Sequence, residues 1–155
     1  MVYSTKGFQP ASPIGNLGLV YMAQAAVEIA AGDAIFSDAT GYATNVGTSF
    51  ANTFLGVAAK DSDNSGGSDG DVNIAYIPAQ ARQMYWVKGA TTTLVAGDHV
   101  GLTVDLEAND SIDASDTTCL YYGFVITKVD VSTAAVAANT QGFAKGYFVN
   151  TADES

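Results

Sequence analysis

The chain has 155 residues, a net charge of −10 from six basic and sixteen acidic side chains, and 48% apolar against 14% charged residues. That balance excludes a disordered chain, and six scattered Lys and Arg cannot make the basic stripe that binds phosphate backbones or anionic membranes. Nucleic acid and membrane are therefore excluded as partners, and the length suits one domain with a core of its own.

Sixteen glycines, eight tyrosines and seven phenylalanines favour an all-β fold. Aromatic and β-branched residues suit pleated surfaces, while glycine supplies turns. Residues 1–18 hold Gly7, Pro10, Pro13, Gly15 and Gly18 with Tyr3, Phe8 and Ile14 between them. Proline blocks regular pairing, so this stretch reads as an extended N-terminal arm. Its apolar anchors need burial, either on another surface or back over the arm's own domain. The β-domain is expected over residues 19–150, and 151–155 form a flexible acidic tail. Leu17 to Ala26 imitates a secretory signal, but its apolar core of about six residues is short of the usual roughly seven to fifteen. No run reaches the ~18 apolar residues of a membrane span.

From Leu19 to Ile29 the larger residues do not hold one helical face, which favours a strand. Ala34 to Ser37 and Tyr42 to Asn45 flank Asp38-Ala39-Thr40-Gly41 as a hairpin. Thr53 to Lys60 is a strand rich in small residues, suited to close backbone approach. Val72 to Ile77 alternates as a half-buried strand and stops at Pro78. Gln83 to Lys88 is the next strand and stops at Gly89. His99 to Val104 reads as a strand, and Asp105 to Asp116 as a polar excursion. Leu120 to Val129 is the longest strongly apolar run and a central strand. Ser132 to Asn139 is a small-residue connection of one or two helical turns. Gly142 to Asn150 closes the sheet, with Phe143, Tyr147 and Val149 on one face.

Eight to ten short strands punctuated by turns predict a single β-barrel or β-sandwich-like domain. The chain also reads as one unit written twice: Ala31-Gly32-Asp33 returns as Ala96-Gly97-Asp98, and Phe54-Leu55-Gly56-Val57-Ala58-Ala59 has a counterpart in Tyr122-Gly123-Phe124-Val125-Ile126. The step along the chain from Gly32 to Gly97 nearly equals the step from Gly56 to Gly123, and this agreement predicts an internal pseudo-repeat.

The loop after the first of these strands is the sharpest chemical candidate. Asp61, Asp63, Ser65 and Gly66 follow the opening of a calcium loop, and Asp69 and Asp71 could add oxygens. The closing bidentate glutamate is missing, because the twelfth position is Val72. A solvated hairpin tip is the better reading. Cys119, His99 and Asp98 could be imagined as a nucleophilic trio, yet neighbours on a strand point to opposite faces and Asp98 would not orient His99. Cys119 reads as a buried small residue. A second histidine for zinc, a phosphate-binding glycine pattern and a convincing carboxylate pair are all missing. The chain is read as a non-enzyme with no cofactor.

The succession of arm, Ala-Gly-Asp turn, Gly41-Tyr42-Ala43 hairpin, Phe54 to Ala59 strand, polar loop and Val72-Asn73-Ile74-Ala75-Tyr76 resembles the head decoration (cement) proteins of tailed bacteriophages. The resemblance runs from about Gly32 to Val87. It implies a structural protein made in the host cytoplasm that binds the outer surface of the virion capsid, with the major capsid protein as partner and a homo-oligomer, commonly a trimer, as its state. It places the capsid contact on the arm, at Val2, Tyr3, Phe8, Pro10 and Pro13. A secreted or surface carbohydrate-binding module using Tyr42 or Trp86 is the competing class, and a tail or head-fibre module is a third.

Overall fold

Wherever the sequence alternates large apolar with small or polar residues, the chain extends, and it turns at glycine or aspartate. The computed structural model describes residues 6–12, 19–47, 53–79 and 83–151. Within them the strands are β1 (Gln9–Pro10), β2 (Val20–Ala23), β3 (Glu28–Ile29), β4 (Ala34–Ser37), β5 (Ala43–Thr44), β6 (Phe54–Ala58) and β7 (Ser62–Asp63). The second half contributes β8 (Asn73–Pro78), β9 (Tyr85–Ala90), β10 (Thr103–Ala108), β11 (Ser111–Asp113), β12 (Tyr122–Asp130) and β13 (Phe143–Asn150). Two short helices, α1 (Ala96–His99) and α2 (Thr133–Ala138), complete the described residues. The fold is all-β in class, as the composition predicts.

Among the described residues the strands form three sheets. One has the order β2-β8-β6-β4-β5, and a second runs β1-β9-β11-β10-β12-β13 and closes on itself because β9 also pairs with β13. This ring is not a true barrel, since β10 meets β12 at only two residue pairs and β11 meets β9, in parallel, at three. The third sheet is the small β3–β7 pair.

The two large sheets repeat one another. In the first, the successive pairings are β2–β8, β8–β6, β6–β4 and β4–β5, and a lone parallel bridge joins Gln24 at the end of β2 to Ala43 of β5. In the second, β9–β13, β13–β12, β12–β10, β10–β11 and the parallel β11–β9 ladder follow the same path. Hydrogen bonds set the register. Asp33 N–H donates to Ala30 C=O, Gly32 N–H to Ala58 C=O and Ala58 N–H to Asp33 C=O; Leu102 N–H donates to His99 C=O, Gly101 N–H to Ile126 C=O and Ile126 N–H to Leu102 C=O. Gly32 and Gly101 both take φ +94°, the left-handed value that the third residue of a type II turn requires.

The pseudo-repeat is therefore real, but at the turn Gly32 corresponds to Gly101 and not to Gly97, and because Ala58 corresponds to Ile126, Gly56 corresponds to Phe124 and not to Gly123. Ala96-Gly97-Asp98 is not the counterpart of Ala31-Gly32-Asp33; it is the helical turn α1, and His99 to Val104 is not one strand. What recurs is a backbone conformation with glycine at one place, and the tripeptide match is coincidental.

Other expectations are corrected too. The polar excursion after Asp105 is a hairpin, β10–β11, whose Leu106 and Ile112 face the core. Strand β9 runs through Gly89, whose N–H donates to Gly142 C=O. On β13 the buried residues are Phe143, Ala144, Gly146 and Phe148, while Tyr147 and Val149 are only partly covered. The predicted hairpin after Ala34, the central strand β12 and the helical connection α2, capped by Ser132, all form.

One core joins both repeats. Ala34, Phe36, Phe54, Val57 and Ile77 of the first pack with Tyr85, Val87, Val104, Leu106, Phe124, Ile126 and Phe148 of the second. A smaller cluster of Ile29, Ile35, Ala43, Ala58, Ile74 and Tyr76 fills the other face of the first sheet. Phe8 belongs to the shared core: it is 1% exposed, and its ring centroid lies 5.1 Å from Phe148, 5.5 Å from Phe124 and 6.2 Å from Tyr85. The N-terminal segment therefore enters the domain well before residue 19, through Phe8 and through β1 on the edge of β9.

Candidate functional site

The arm residues expected to meet a partner fall into three groups. Val2, Tyr3 and Pro13 lie outside the described residues. Phe8 is buried, so it is corrected from a contact residue to a core residue: a bare aromatic on a glycine-flanked arm had a hole in its own domain to fill. Pro10 is exposed on β1. There it borders an open groove of about 550 Å³ between the N-terminal segment, the Ala31-Gly32 turn and the end of β6, with Lys6 and Trp86 on its walls. Two backbone hydrogen bonds hold the N-terminal segment beside it, Phe8 N–H donating to Gly32 C=O at 2.8 Å and Ala11 N–H donating to Met84 C=O at 2.7 Å.

The acidic loop does not converge on a point. Asp61 accepts from Ala31 N–H, Asp69 from Ala26 N–H and Asp71 from Ser68 N–H, each at 2.8 Å. Asp63 accepts from the N–H and hydroxyl of Ser65, and the hydroxyl first, then the amide, holds its carboxyl below the usual carboxylate range. Each of these four carboxylates caps a different backbone amide, which is what a tightly folded loop needs and not what a hard cation needs. Among the described residues no group of three or more His, Cys, Asp or Glu side chains is arranged to hold a metal.

At the root of this loop sit two buried amides that sequence reasoning missed. Asn64 Nδ2 donates to the carbonyls of Gln24, Ala25 and Ser68, and Gln24 Nε2 donates to those of Val27 and Ser62. They tie the loop to the end of β2 by hydrogen-bonding carbonyls on both sides of the contact. The available signal was an asparagine amid aspartates, an amide where solubility alone would accept a carboxylate.

The imagined trio is not assembled. His99 Nδ1 accepts from Val95 N–H at 2.8 Å and so closes the turn of α1. Cys119 is half-buried against Gly123, and burial, then the carboxylates of Asp105 and Asp116, push its thiol up to about 12. A thiol so shifted is protonated at neutral pH and a poor nucleophile. Asp33 is a carboxylate lifted by its surroundings: burial raises it, opposed by the Ala30 amide and Asn45. It holds the Ala30–Asp33 turn and the Asn45 amide together, a structural task.

No protein-family model, curated protein or solved structure matches the chain. Among the described residues no helix is long and apolar enough to cross a membrane.

Proposed function

We propose that the chain is a structural protein of a virion, binding the outer surface of a phage capsid and stabilising the shell. The observation that carries the reading is how the N-terminal segment is used: β1 adds as an extended strand to the edge of β9, and Phe8 anchors it in the core. The described part of the N-terminal segment thus belongs to the domain and borders the Lys6–Pro10–Trp86 groove. Shell binding needs cohesion and extended contact rather than reactive groups, and here the four loop carboxylates brace backbone amides. The contact with the major capsid protein then falls on Val2 and Tyr3, ahead of Lys6, and on exposed Pro10, while Phe8 only anchors. In this role the protein works as a homo-oligomer, without metal or cofactor.

Co-sedimentation with undecorated capsids tests the role. The full chain is expected to pellet with the shells and raise their resistance to heat. Deleting residues 1–5, which spares Phe8 and β1, is expected to weaken binding; equal binding by the truncated chain would remove the arm from the interface. A second reading has one observation behind it: Trp86 lines an open groove, as a sugar-stacking residue would. Glycan-array binding that quenches Trp86 fluorescence would favour a carbohydrate-binding module over the capsid role.

A further inference from the structure

Among the described residues Thr91 is the single non-glycine with a positive φ, +54°. A β-branched side chain rarely occupies that region, because it crowds the neighbouring backbone. Thr91 follows directly on β9, and Thr92 N–H donates to Ala90 C=O across it. A hydrogen bond from the third residue back to the first, around a positive φ, marks the rare and strained form of the γ-turn. Nearby turns avoid such strain by placing glycine at their left-handed positions, Gly101 at +94° and Gly142 at +83°.

The strained peptide has reactive groups around it. The parallel ladder sets Ala90 beside Asp113 of β11, and the Thr91 hydroxyl donates to Asp113 Oδ1 at 3.4 Å. The same oxygen accepts from the N–H and hydroxyl of Ser115, at 2.9 and 2.6 Å, which fixes the carboxylate next to the turn. Three parts of an acyl transfer thus meet at one peptide bond: a hydroxyl on the residue after the carbonyl, a carboxylate to take its proton, and an N–H already on the carbonyl oxygen. Thr91 is exposed, so water reaches the bond.

We propose that the chain cleaves itself between Ala90 and Thr91 by an N-to-O acyl shift. Thr91 Oγ1 attacks the Ala90 carbonyl carbon as its proton passes to Asp113, and Thr92 N–H holds the developing oxyanion. The C–N bond then breaks, the Thr91 nitrogen takes the proton back from Asp113, and an ester joins Ala90 to the Thr91 side chain. Water hydrolyses that ester to an Ala90 carboxylate and a Thr91 hydroxyl, leaving the Thr91 amine as a new N-terminus. One water is consumed and no other reactant is needed. Relief of the strained turn offsets part of the unfavourable exchange of amide for ester. The nicked chain stays assembled, because β9 on the first fragment pairs with β11 and β13 of the second. The step happens once per molecule and needs no capsid, so it is a maturation event rather than turnover.

Intact mass spectrometry of the full chain, incubated at neutral pH and then denatured, tests the step. The expected products are residues 1–90 and 91–155, together heavier than the chain by one water, the second beginning at Thr91. Hydroxylamine, which captures esters, should speed the reaction and leave a hydroxamate on Ala90. Thr91→Ala removes the nucleophile and should abolish cleavage, whereas Thr91→Ser should keep it. Thr91→Gly removes the nucleophile and the strain together and should also be inert. Asp113→Asn should slow the reaction about a hundredfold or more. Matched far-ultraviolet spectra separate these effects from misfolding, and if a variant fails to fold, the hydroxamate on wild-type Ala90 decides the matter. A chain that stays intact in hydroxylamine overturns the proposal. So does cleavage that persists in Thr91→Ala or falls at another bond, and an unchanged rate in Asp113→Asn removes the carboxylate from the step.

Discussion

Replacing Phe8 separates an arm that belongs to the fold from one that belongs to a partner. The ring is 1% exposed and touches Tyr85, Phe124 and Phe148, so Phe8→Ala empties a site walled by three aromatic rings from β9, β12 and β13. Such a truncation costs about 3–5 kcal/mol, transfer and cavity terms together, and these walls are held by the closed ring of strands and cannot collapse far. Against a typical stability of about 5–15 kcal/mol that is a large share. At roughly 2–4 °C per kcal/mol for a chain of this size, the melting midpoint should drop by about 6–20 °C. Phe8→Leu, which keeps most of the apolar volume, should lose much less, about 1–1.5 kcal/mol. Urea unfolding followed by far-ultraviolet circular dichroism reads both. A Phe8→Ala variant within about 1 kcal/mol of wild type, the range of a surface change, would mean that the N-terminal segment is not part of the core and would restore Phe8 as a candidate contact.

Two further perturbations follow from the repeat and from the buried carboxylate. Gly32→Ala and Gly101→Ala impose the same left-handed strain, about 1–2 kcal/mol, but a Cβ at Gly32 also meets the backbone of Lys6 and Phe8 at 3.2 Å while at Gly101 it meets nothing. Denaturant midpoints should therefore fall for both and further for Gly32→Ala; a neutral Gly101→Ala would undo the equivalence of the two turns. For Asp33, burial lifts the carboxyl above the ordinary 3.8, whereas the backbone bond from Tyr42 lowers Asp38 and the Ser65 hydroxyl lowers Asp63. The signs are opposite. As pH falls, the folded state regains what ionised Asp33 costs it, the gain being complete below 3.8, while the support from Asp38 and Asp63 is lost as pH drops through their lowered values. Carboxyl titration by NMR should place Asp33 above 3.8 and the other two below it, and the reverse order would refute the assigned causes. Asp33→Asn, which keeps an oxygen for the Ala30 N–H, should be relatively most favourable at neutral pH and lose that advantage under acid.

The acidic loop was legible in outline only. Alternate aspartates with a following glycine do mark a tight loop, and the missing twelfth-position carboxylate already argued against calcium. What the sequence could not say is that each of three aspartates reaches back to an amide outside or across the loop, at Ala26, Ala31 and Ser68. Those partners are up to 43 residues away in the chain, and no local pattern reports a contact of that range. The same holds for Asn64 and Gln24, whose burial follows from where β2 and the loop cross.

Class and punctuation could be read from the residues alone: all-β, short strands, the hairpin at Asp38–Gly41, the central strand from Tyr122 and the helical connection after Ser132. These are properties of side-chain period and turn chemistry, which act over a few residues. The register of the repeat, the conversion of an acidic excursion into a core hairpin and the fate of Phe8 came only with the folded chain. Each depends on which surfaces are left uncovered once both units are formed. The second unit has an edge and an aromatic hole, and the N-terminal segment fills both.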